Sequence, residues 1–349
     1  MRWLITGATG FIGGVLLRCL IQDAKTQPGD SYVLLVRDMG RLDRVLQGAS
    51  LPPQFHVVAG DLHQLEGLGP YVSDITGVLH IAGLINAKRE QDFQYTNVDG
   101  TQYLHQYVMQ AATARRTCGR RVKWIQISSI AANGPVQMVP EERRADVDQD
   151  RPASWYGQSK LDADNYLRQS HPPEDLIIVR PPAVFGKEDR AWISIMKLIK
   201  KRFLPVWVGK TCPYYSFINS DVLVKTLRVL MTWDRPIAES VYPTFQQPAH
   251  WNQMMTLTQS VLSNSRVYFP IPLSFGMLRV ASKTVDLLGS LPGIERLLPI
   301  SGDKIRLVSS GHLVKDGGKQ LQQLGIDVPK DLTVSWKECI SYWQTTGII

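Results

Sequence analysis

Short apolar runs recur along the first half of the chain, at intervals that leave room for a helix between them. Six runs span residues 3–6, 32–36, 55–58, 78–81, 123–127 and 176–179. Helix-like segments lie between them, at 10–22, 97–117 and 156–169. The runs are continuously apolar and rich in β-branched residues, as is typical of parallel strands that are covered on both faces. The pattern predicts a doubly wound α/β fold built from βαβ units.

The second half of the chain has a different texture, rich in proline and aromatic residues. We expect a first domain over residues 1–186, with a further strand near 240–244, and a smaller, mostly helical lobe over 187–235 and 245–349. Five apolar residues of this lobe share one face of a predicted helix: Leu273, Met277, Ala281, Val285 and Leu288. We interpret that helix as core-facing, in preference to one that lies on a membrane.

Composition narrows the class of protein. Of 349 residues, 44% are hydrophobic, which excludes a disordered or low-complexity chain. The four cysteines include no C-x-x-C pair, so we expect neither a disulfide framework nor a zinc ribbon, and a reducing, cytoplasmic compartment. The most apolar stretch, 267–278, is far shorter than the ~20 residues of a transmembrane helix.

The net charge of +8 raises the question of an anionic partner. Basic residues cluster at 115–123 and 197–202, but without the interleaved aromatic residues of a nucleic-acid surface. We therefore expect a small-molecule substrate and no nucleic acid. There is also no H-E-x-x-H motif and no clustered set of His and Cys, so no metal is expected.

A glycine-rich segment follows the first predicted strand and opens the first predicted helix. Its three glycines, Gly7, Gly10 and Gly13, allow a tight turn, a close approach of the backbone to a pyrophosphate, and close packing of helix on sheet. The N-terminus of the helix adds unpaired N–H groups. The residues expected to bind a dinucleotide here are Gly7, Thr9, Gly10, Phe11, Ile12 and Gly13.

The residue after the second predicted strand indicates which cofactor binds. An acidic residue there accepts from the ribose 2′-hydroxyl of NAD, whereas this chain has Arg37. A guanidinium suits the 2′-phosphate of NADP through charge-assisted hydrogen bonds. We therefore expect NADP, with NAD as the alternative because Asp38 lies beside Arg37.

Tyr156 and Lys160 stand four residues apart, and a helix places both on one face. Ser129 lies at the end of the fifth predicted strand, where a doubly wound sheet presents its functional groups. A phenol with a pKa near 10 must lose about 3 pKa units to exchange protons near neutrality. The Lys160 ammonium and an oxidised nicotinamide would each contribute about 3 kcal/mol toward that shift.

These motifs together resemble the extended short-chain dehydrogenase/reductase superfamily, which has a Rossmann fold, and in particular its 3β-hydroxysteroid dehydrogenase-like branch. Ser129, Tyr156 and Lys160 match the catalytic trio of that family, and Asn97 matches its structural asparagine, which supports a proton path. Three further segments resemble its cofactor motifs: Gly60-Asp61-Leu62, His80-Ile81-Ala82-Gly83, and Arg180 to Gly186. The resemblance adds Asp61, Leu62, Ala82, Gly83, Pro182 and Val184 to the expected cofactor contacts, beside Tyr156 and Lys160.

The resemblance implies an NADP(H)-dependent oxidoreductase that interconverts a secondary alcohol and a ketone, and a homodimer through the helices that bear Asn97 and Tyr156. Ile130 follows the serine where epimerases often have a small residue and then threonine, and where dehydratases have an acidic pair. A nucleotide-sugar epimerase or dehydratase is the alternative enzyme. A cofactor-sensing protein without turnover is the alternative of another class.

Apolar and aromatic residues are expected around the nicotinamide, which favours a substrate of sterol, terpenoid or long-chain keto type. They are Leu84, Ile85, Trp155, Phe185, Trp192, Phe203 and the run 268–277. Basic residues in the lobe keep a sugar nucleotide open as the alternative: Lys187, Arg190, Lys210, Arg235, Arg266 and Arg279.

Overall fold

The computed structural model describes residues 1–26, 29–114, 121–136, 150–208, 212–262, 269–289 and 301–349. Its centre is a parallel six-stranded sheet with the strand order β3-β2-β1-β4-β5-β6. The strands are β1 Arg2–Thr6, β2 Ser31–Val36, β3 Phe55–Ala59, β4 Gly77–His80, β5 Lys123–Ile127 and β6 Leu176–Val179. This order reverses direction beside β1, so the doubly wound Rossmann fold expected from the sequence is confirmed.

Helices cover both faces of this sheet. The helices that precede β6 are α1 Phe11–Thr26, α2 Met39–Leu46, α3 Gly69–Val72, α4 Glu90–Phe93, α5 Gly100–Ala114 and α6 Trp155–Ser170. Because side chains alternate along a strand, Ile5 packs into the core on one face of the sheet and Leu4 into the core on the other. Both are almost completely buried, which explains why the strands read as continuous apolar runs.

One stretch of π-helix, Gln94–Asp99, joins α4 to α5. Each residue there follows the wider i to i+5 hydrogen-bond pattern, which inserts an extra residue into the helix. The sequence predicted an ordinary helix from residue 97, and its last residues, 115–117, lie outside the described part of the chain. The π segment turns Asn97 inward, where only 2% of its surface is exposed.

The chain after β6 adds seven helices and three small two-stranded sheets among the described residues. The helices are α7 Arg190–Lys200, α8 Ser220–Thr232, α9 Trp251–Leu262, α10 Phe275–Gly289, α11 Gly302–Val308, α12 Gly318–Gln323 and α13 Thr333–Thr345. The paired strands are β7 Ala183–Phe185 with β10 Phe217–Asn219, β8 Phe203–Trp207 with β12 Phe269–Leu273, and β9 Tyr214–Tyr215 with β11 Ala249–His250.

The strand expected near 240–244 is reduced to a single parallel bridge, in which Val241 pairs with Val179, the last residue of β6. Two hydrogen bonds hold it: Arg180 N donates to Val241 O at 2.8 Å, and Val241 N donates to Ile178 O at 2.8 Å. Pro243, two residues on, has no backbone N–H to continue the pairing. The chain therefore joins the sheet edge at one point only.

The helix expected around 273–288 is present as α10, but it is not simply core-facing. Ser282 is buried, whereas Met277 is 50% exposed and Val280 is 67% exposed. The core-facing interpretation is therefore wrong at Met277. The side chains of Ala281, Val285 and Leu288 lie outside the described ones.

Candidate active site

The glycine-rich segment between β1 and α1 leaves no room for a side chain at Gly7 or Gly13. Gly7 has a φ of +74°, and a Cβ there would lie 2.6 Å from Ala82 N. A Cβ on Gly13 would lie 2.1 Å from Gly7 O, while Gly10 N donates to that same oxygen at 3.0 Å. Side chains could not tolerate contacts this short, so the loop packs directly against the segment that follows β4 and against the first turn of α1. Bare backbone at a helix N-terminus fits the pyrophosphate of a dinucleotide.

A chain of buried hydrogen bonds runs from this loop to Asn97. Thr6 Oγ1 lies 2.6 Å from His80 Nδ1, and His80 Nε2 lies 3.0 Å from Thr101 Oγ1. Thr101 Oγ1 donates to Asn97 O at 2.7 Å, so it must accept the proton of His80 Nε2. Burial, with Lys160 nearby, lowers the pKa of His80 to about 3. A neutral His80 with its proton on Nε2 therefore joins the two segments.

The side chain of Asn97 makes three contacts. Its Oδ1 accepts from Leu84 N at 2.7 Å, and its Nδ2 donates to Leu84 O at 3.0 Å and to Ser159 Oγ at 2.9 Å. A Cβ on Gly83 would lie 3.1 Å from Asn97 Oδ1 and 2.9 Å from Lys160 Nζ. Asn97, Gly83 and Lys160, three of the residues expected at the site, are thus brought together.

Tyr156 and Lys160 lie in the first two turns of α6, which begins at the N-cap Ser154. The side chain of Ser129 interacts with the Tyr156 phenol, an interaction that by itself lowers the pKa of the phenol. Lys160 is buried, and its Nζ donates to Ile127 O, at the end of β5, at 2.9 Å. The structure therefore brings Ser129, Tyr156 and Lys160 to the carboxyl end of the sheet, as the sequence predicted.

Burial sets the electrostatics of these two groups. It raises the pKa of Tyr156, and the influence of the Ser129 side chain opposes the rise only in part. Burial also lowers the pKa of Lys160 to about 8, against the opposing charge of Asp164. The lowered tyrosine pKa expected from the sequence is therefore not found in the protein alone. At neutral pH the phenol carries its proton.

A buried ion network that the sequence analysis missed lies behind this helix. Asp164, one turn after Lys160, accepts from Ser128 Oγ at 2.8 Å and from Arg180 Nε at 2.9 Å. The two terminal nitrogens of Arg180 pair with Asp150 at 3.0 and 2.9 Å. Asp164 and Arg180 are at most 1% exposed, so the network ties α6 to the ends of β5 and β6. The sequence signal that could have pointed to this network is that Asp164 follows Lys160 by four residues, which places both on one face of the helix.

Asp303, on α11 of the lobe, is a second residue that the sequence analysis missed. Its carboxylate accepts from Trp155 N at 2.8 Å and from Tyr156 N at 3.1 Å. It is 1% exposed, and Arg306 pairs with it at 3.4 Å while lying over the Trp155 ring. Across 147 residues, no sequence pattern pointed to this contact.

Arg37 is exposed, directly after β2. The neighbouring carboxylate is engaged elsewhere: Asp38 is the N-cap of α2 and accepts from Arg41 N at 3.0 Å. After β3, Asp61 accepts from His63 N at 2.8 Å, and Leu62 is buried. Arg37 and Asp61, the two residues expected to contact the adenosine end of the cofactor, therefore lie at the carboxyl ends of the neighbouring strands β2 and β3.

The remaining expected cofactor contacts line the loop and its rim. Thr9 lies in the turn, Phe11 and Ile12 begin α1, Ala82 follows β4, and Pro182 and Val184 follow β6. A Cβ on Gly186 would lie 3.1 Å from the Phe11 ring, which places that rim against the glycine loop.

Two aromatic residues expected beside the nicotinamide pack in the hydrophobic core that also covers one face of the sheet. Phe185 is completely buried, with its ring centroid 5.1 Å from that of Trp336. The Trp192 ring lies 4.9 Å from Trp336 and 6.2 Å from Trp251. Ile85, by contrast, is 65% exposed beside Asn97's partner Leu84. Hydrophobic character in the sequence could not show which of these residues are buried in the core and which are exposed beside the site.

Two features are absent from the described residues. Among them, no three His, Cys, Asp or Glu side chains are grouped so that they could hold a metal ion. None of their helices combines the length and the apolar character needed to cross a membrane.

Comparison with curated proteins identifies reductases among the relatives. A ceramide reductase from Caulobacter vibrioides is 32% identical over 204 residues, which cover 58% of this chain and 52% of that protein. The match thus spans about half the length of that relative. A putative dihydroflavonol 4-reductase from Synechocystis is 23% identical, and the match covers 99% of this chain and 96% of the relative.

Solved structures share the fold at lower identity. A UDP-glucuronic acid 4-epimerase from Bacillus cereus, in complex with NAD, has a TM-score of 0.71 at 18% identity, with 99% of both chains covered. A dTDP-glucose 4,6-dehydratase from Streptomyces venezuelae, with NAD bound, has a TM-score of 0.69 at 18% identity, with 99% of this chain and 97% of that chain covered.

The model of one family covers most of the chain. The NAD dependent epimerase/dehydratase family matches residues 3–217, from the first strand to the strand that pairs with β7. The glycine loop, Asn97 and the Tyr156 helix all lie inside this range. The chain therefore belongs to the NAD-dependent epimerase/dehydratase family, whose members are NAD(P)-dependent enzymes of the short-chain dehydrogenase/reductase type that act on CH–OH groups.

Proposed function

We propose that this enzyme is an NADP(H)-dependent oxidoreductase that interconverts a secondary alcohol and a ketone on an apolar substrate. One observation carries the proposal: Ser129, Tyr156 and Lys160 meet at the carboxyl end of the sheet, with Ser129 interacting with the Tyr156 phenol and Lys160 against Gly83 and Asn97. The bound cofactor supplies or accepts the hydride. The chain must supply a proton donor, a hydrogen bond to the substrate oxygen, and a fixed orientation.

Tyr156 is the proton donor in the reductive direction. Its raised pKa keeps the phenol protonated at neutral pH, so a proton is available for the substrate oxygen as that oxygen becomes an alcohol. Ser129 Oγ, which contacts the phenol, donates a second hydrogen bond to the same oxygen. In the oxidative direction the same groups act in reverse, and the tyrosinate takes the proton from the alcohol.

Lys160 and Asn97 support that exchange. The buried Lys160 ammonium stabilises the tyrosinate left after proton donation, because its charge is poorly screened there. Asn97 holds the Leu84 backbone through two hydrogen bonds and reaches α6 through Ser159. It connects the active-site floor to the water-linked proton path that the family resemblance implies.

NADP is the favoured cofactor. The glycine loop fits a pyrophosphate, and Arg37 stands where the 2′-position of the adenosine ribose is recognised. The carboxylate of Asp38 caps α2, which leaves Arg37 as the charged group available to the 2′-phosphate at that strand end. NAD remains the alternative because the similar solved structures named above were crystallised with it.

An apolar substrate is supported by two observations. The exposed Ile85 stands beside Leu84, which is bonded to Asn97, so an apolar side chain lies at the open edge of the site. The second observation is that two relatives are named reductases, one a ceramide reductase and the other a putative dihydroflavonol 4-reductase. A sterol-, terpenoid- or long-chain keto-type compound fits this description.

A nucleotide-sugar epimerase or dehydratase is the second candidate, because the solved structures with this fold include both. Ile130 argues against the dehydratase, since it is 5% exposed and fills the position beside Ser129 with an apolar side chain. The two residues after Ser129 are Ile130 and Ala131, so the acidic pair of the dehydratases is not present at this position.

The test is a panel of substrates with NADPH and NADH. We expect oxidation of NADPH with apolar ketones, and thermal stabilisation by hydroxysteroids or long-chain hydroxy compounds when NADP⁺ is present. Tyr156→Phe should lower turnover by about 10² to 10⁴ without loss of cofactor binding, whereas Tyr342→Phe, on α13, should not. Stabilisation by UDP- and GDP-sugars alone would establish the second candidate instead. Cofactor binding without turnover on any substrate would indicate a cofactor sensor.

A further inference from the structure

The ribbon of β8 and β12 presents aromatic side chains to solvent. Phe203 and Phe269 are register partners across the ribbon, with ring centroids 6.3 Å apart. Phe203 is 43% exposed and Phe269 is 60% exposed, and Pro270 and Pro272 beside them are exposed as well. Two phenyl rings left in water side by side are costly, and such patches mark interaction surfaces.

The exposed apolar character continues into the helix that follows the ribbon. Met277 and Val280 stand three residues apart on α10, which puts them on one face, and both are at least half exposed. Val208, which directly follows β8, is 43% exposed. These five are among the twelve exposed large apolar residues of the described part of the chain, and we call them the ribbon face: Phe203, Val208, Phe269, Met277 and Val280.

Basic residues border the ribbon face. Lys200, Lys201 and Arg202 immediately precede Phe203 and are all exposed. Phe269 N donates to Arg202 O at 2.8 Å, so the basic turn is bonded to the same end of the ribbon as the two phenyl rings. The sequence segments 190–208 and 269–285 contain seven Lys and Arg and no Asp or Glu. A surface that joins exposed apolar residues to an exposed cationic turn matches an anionic lipid surface.

We propose that the ribbon face binds the surface of an anionic lipid bilayer. The phenyl rings enter the headgroup region while the basic turn pairs with lipid phosphates. Addition of a strand from a protein partner is disfavoured, because β12 carries Pro270 and Pro272, which have no backbone N–H to offer. This inference is independent of the proposed function, since it rests on a different part of the molecule.

The experiment is co-sedimentation of the full chain with vesicles, without cofactor or substrate. The vesicles are phosphatidylcholine alone, or phosphatidylcholine with about one-third phosphatidylglycerol. Wild-type protein should bind the anionic vesicles at least about tenfold more tightly than the neutral ones. Raising salt from about 0.1 to about 0.5 M should weaken binding, since screening shortens the reach of the basic turn.

Two variants test the two halves of the ribbon face, and one variant controls for them. Phe203→Ser/Phe269→Ser should lower binding to both kinds of vesicle, and Lys200→Glu/Lys201→Glu should lower binding to the anionic ones by about tenfold or more. The control is Val334→Ser/Lys337→Glu, which removes one exposed apolar residue and reverses one charge on α13. It should bind as wild type does.

Three results would overturn the proposal. They are no binding of wild-type protein to anionic vesicles, an equal loss in the α13 control, and a change of oligomeric state in the ribbon variants with vesicle binding intact. The last result would identify a second copy of the chain as the occupant. The charge reversal lies entirely on exposed side chains, so it keeps the test valid if the serine variant unfolds.

Discussion

Asp303→Asn probes the contact through which the lobe holds the helix of Tyr156. In the wild type, two carboxylate oxygens accept from two successive backbone N–H groups, of Trp155 and Tyr156, at 2.8 and 3.1 Å. An asparagine has one acceptor oxygen only, so its amide group faces one of these N–H groups as donor against donor. The substitution keeps the shape of the side chain and removes its charge.

The expected loss of stability follows from that geometry. One hydrogen bond from an N–H to a charged acceptor is worth about 1.5 to 3 kcal/mol, and a carboxylate at a partly buried helix N-terminus adds up to ~2 kcal/mol. Relief from burying the charge offsets part of this sum. We therefore expect a loss of about 2 kcal/mol. With an unfolding entropy of about 2.1 cal/mol/K per residue over 349 residues, Tm should fall by about 3 °C.

The assay is urea and thermal unfolding of the cofactor-free protein. The matched control is Asp38→Asn, at the exposed N-terminus of α2, where asparagine caps a helix as well as aspartate does. Asp38→Asn should change the free energy of unfolding by less than about 0.5 kcal/mol. An equally small change in Asp303→Asn would refute the role given to Asp303, and so would an equal loss in both variants.

Three further outcomes are expected. Arg37→Ala should weaken NADPH binding by about ten- to a hundredfold and leave NADH binding nearly unchanged, while Arg44→Ala on α2 should affect neither; equal wild-type affinities for both cofactors would contradict this. Lys160→Met should abolish turnover yet raise the free energy of unfolding at pH 7 by about 1 to 2 kcal/mol, because the ammonium that burial disfavours is removed. The control Lys225→Met, at an exposed site, should not raise the free energy of unfolding. The pKa of His80 is lowered to about 3, so the unfolded chain binds a proton below about pH 6.5 that the folded protein refuses; stability should fall as pH drops from there, and His80→Gln should reduce that slope by up to about 1.4 kcal/mol per pH unit. An unchanged slope in urea titrations between about pH 6 and 4 would contradict the last of these.

Local periodicity was enough to predict the strands of the sheet and several residues of the site. The strands, the glycine loop and the pair Tyr156 and Lys160 follow from spacing within a few residues, and the structure places them as expected. The same holds for Ser129, since the end of a parallel strand fixes where the next side chain lies. What these predictions share is that one element is enough to define each of them.

The features that were missed depend on contacts between distant segments. Arg180 was expected only as part of a cofactor loop, yet its guanidinium joins Asp150 and Asp164 from two other segments. Asp303 reaches α6 from the far end of the chain. Phe185 was expected near the nicotinamide and instead packs in the core. The sequence could not distinguish the two places, because a hydrophobic side chain suits both. Such choices are made by tertiary packing, which one sequence does not display.

The π-helix before α5 makes this region unusually sensitive to changes in chain length. Its extra residue turns Asn97 toward Leu84 and Ser159 while α5 keeps its own register. Deletion of one residue from 94–99 would restore a regular α-helix, in which the flanking turns keep their register but the wider turn that directs Asn97 inward is lost. A substitution on this surface alters one side chain, whereas a single-codon deletion would remove the wider turn and with it the contacts of Asn97. Natural variation here should therefore consist of substitutions, with the number of residues between α4 and α5 held constant.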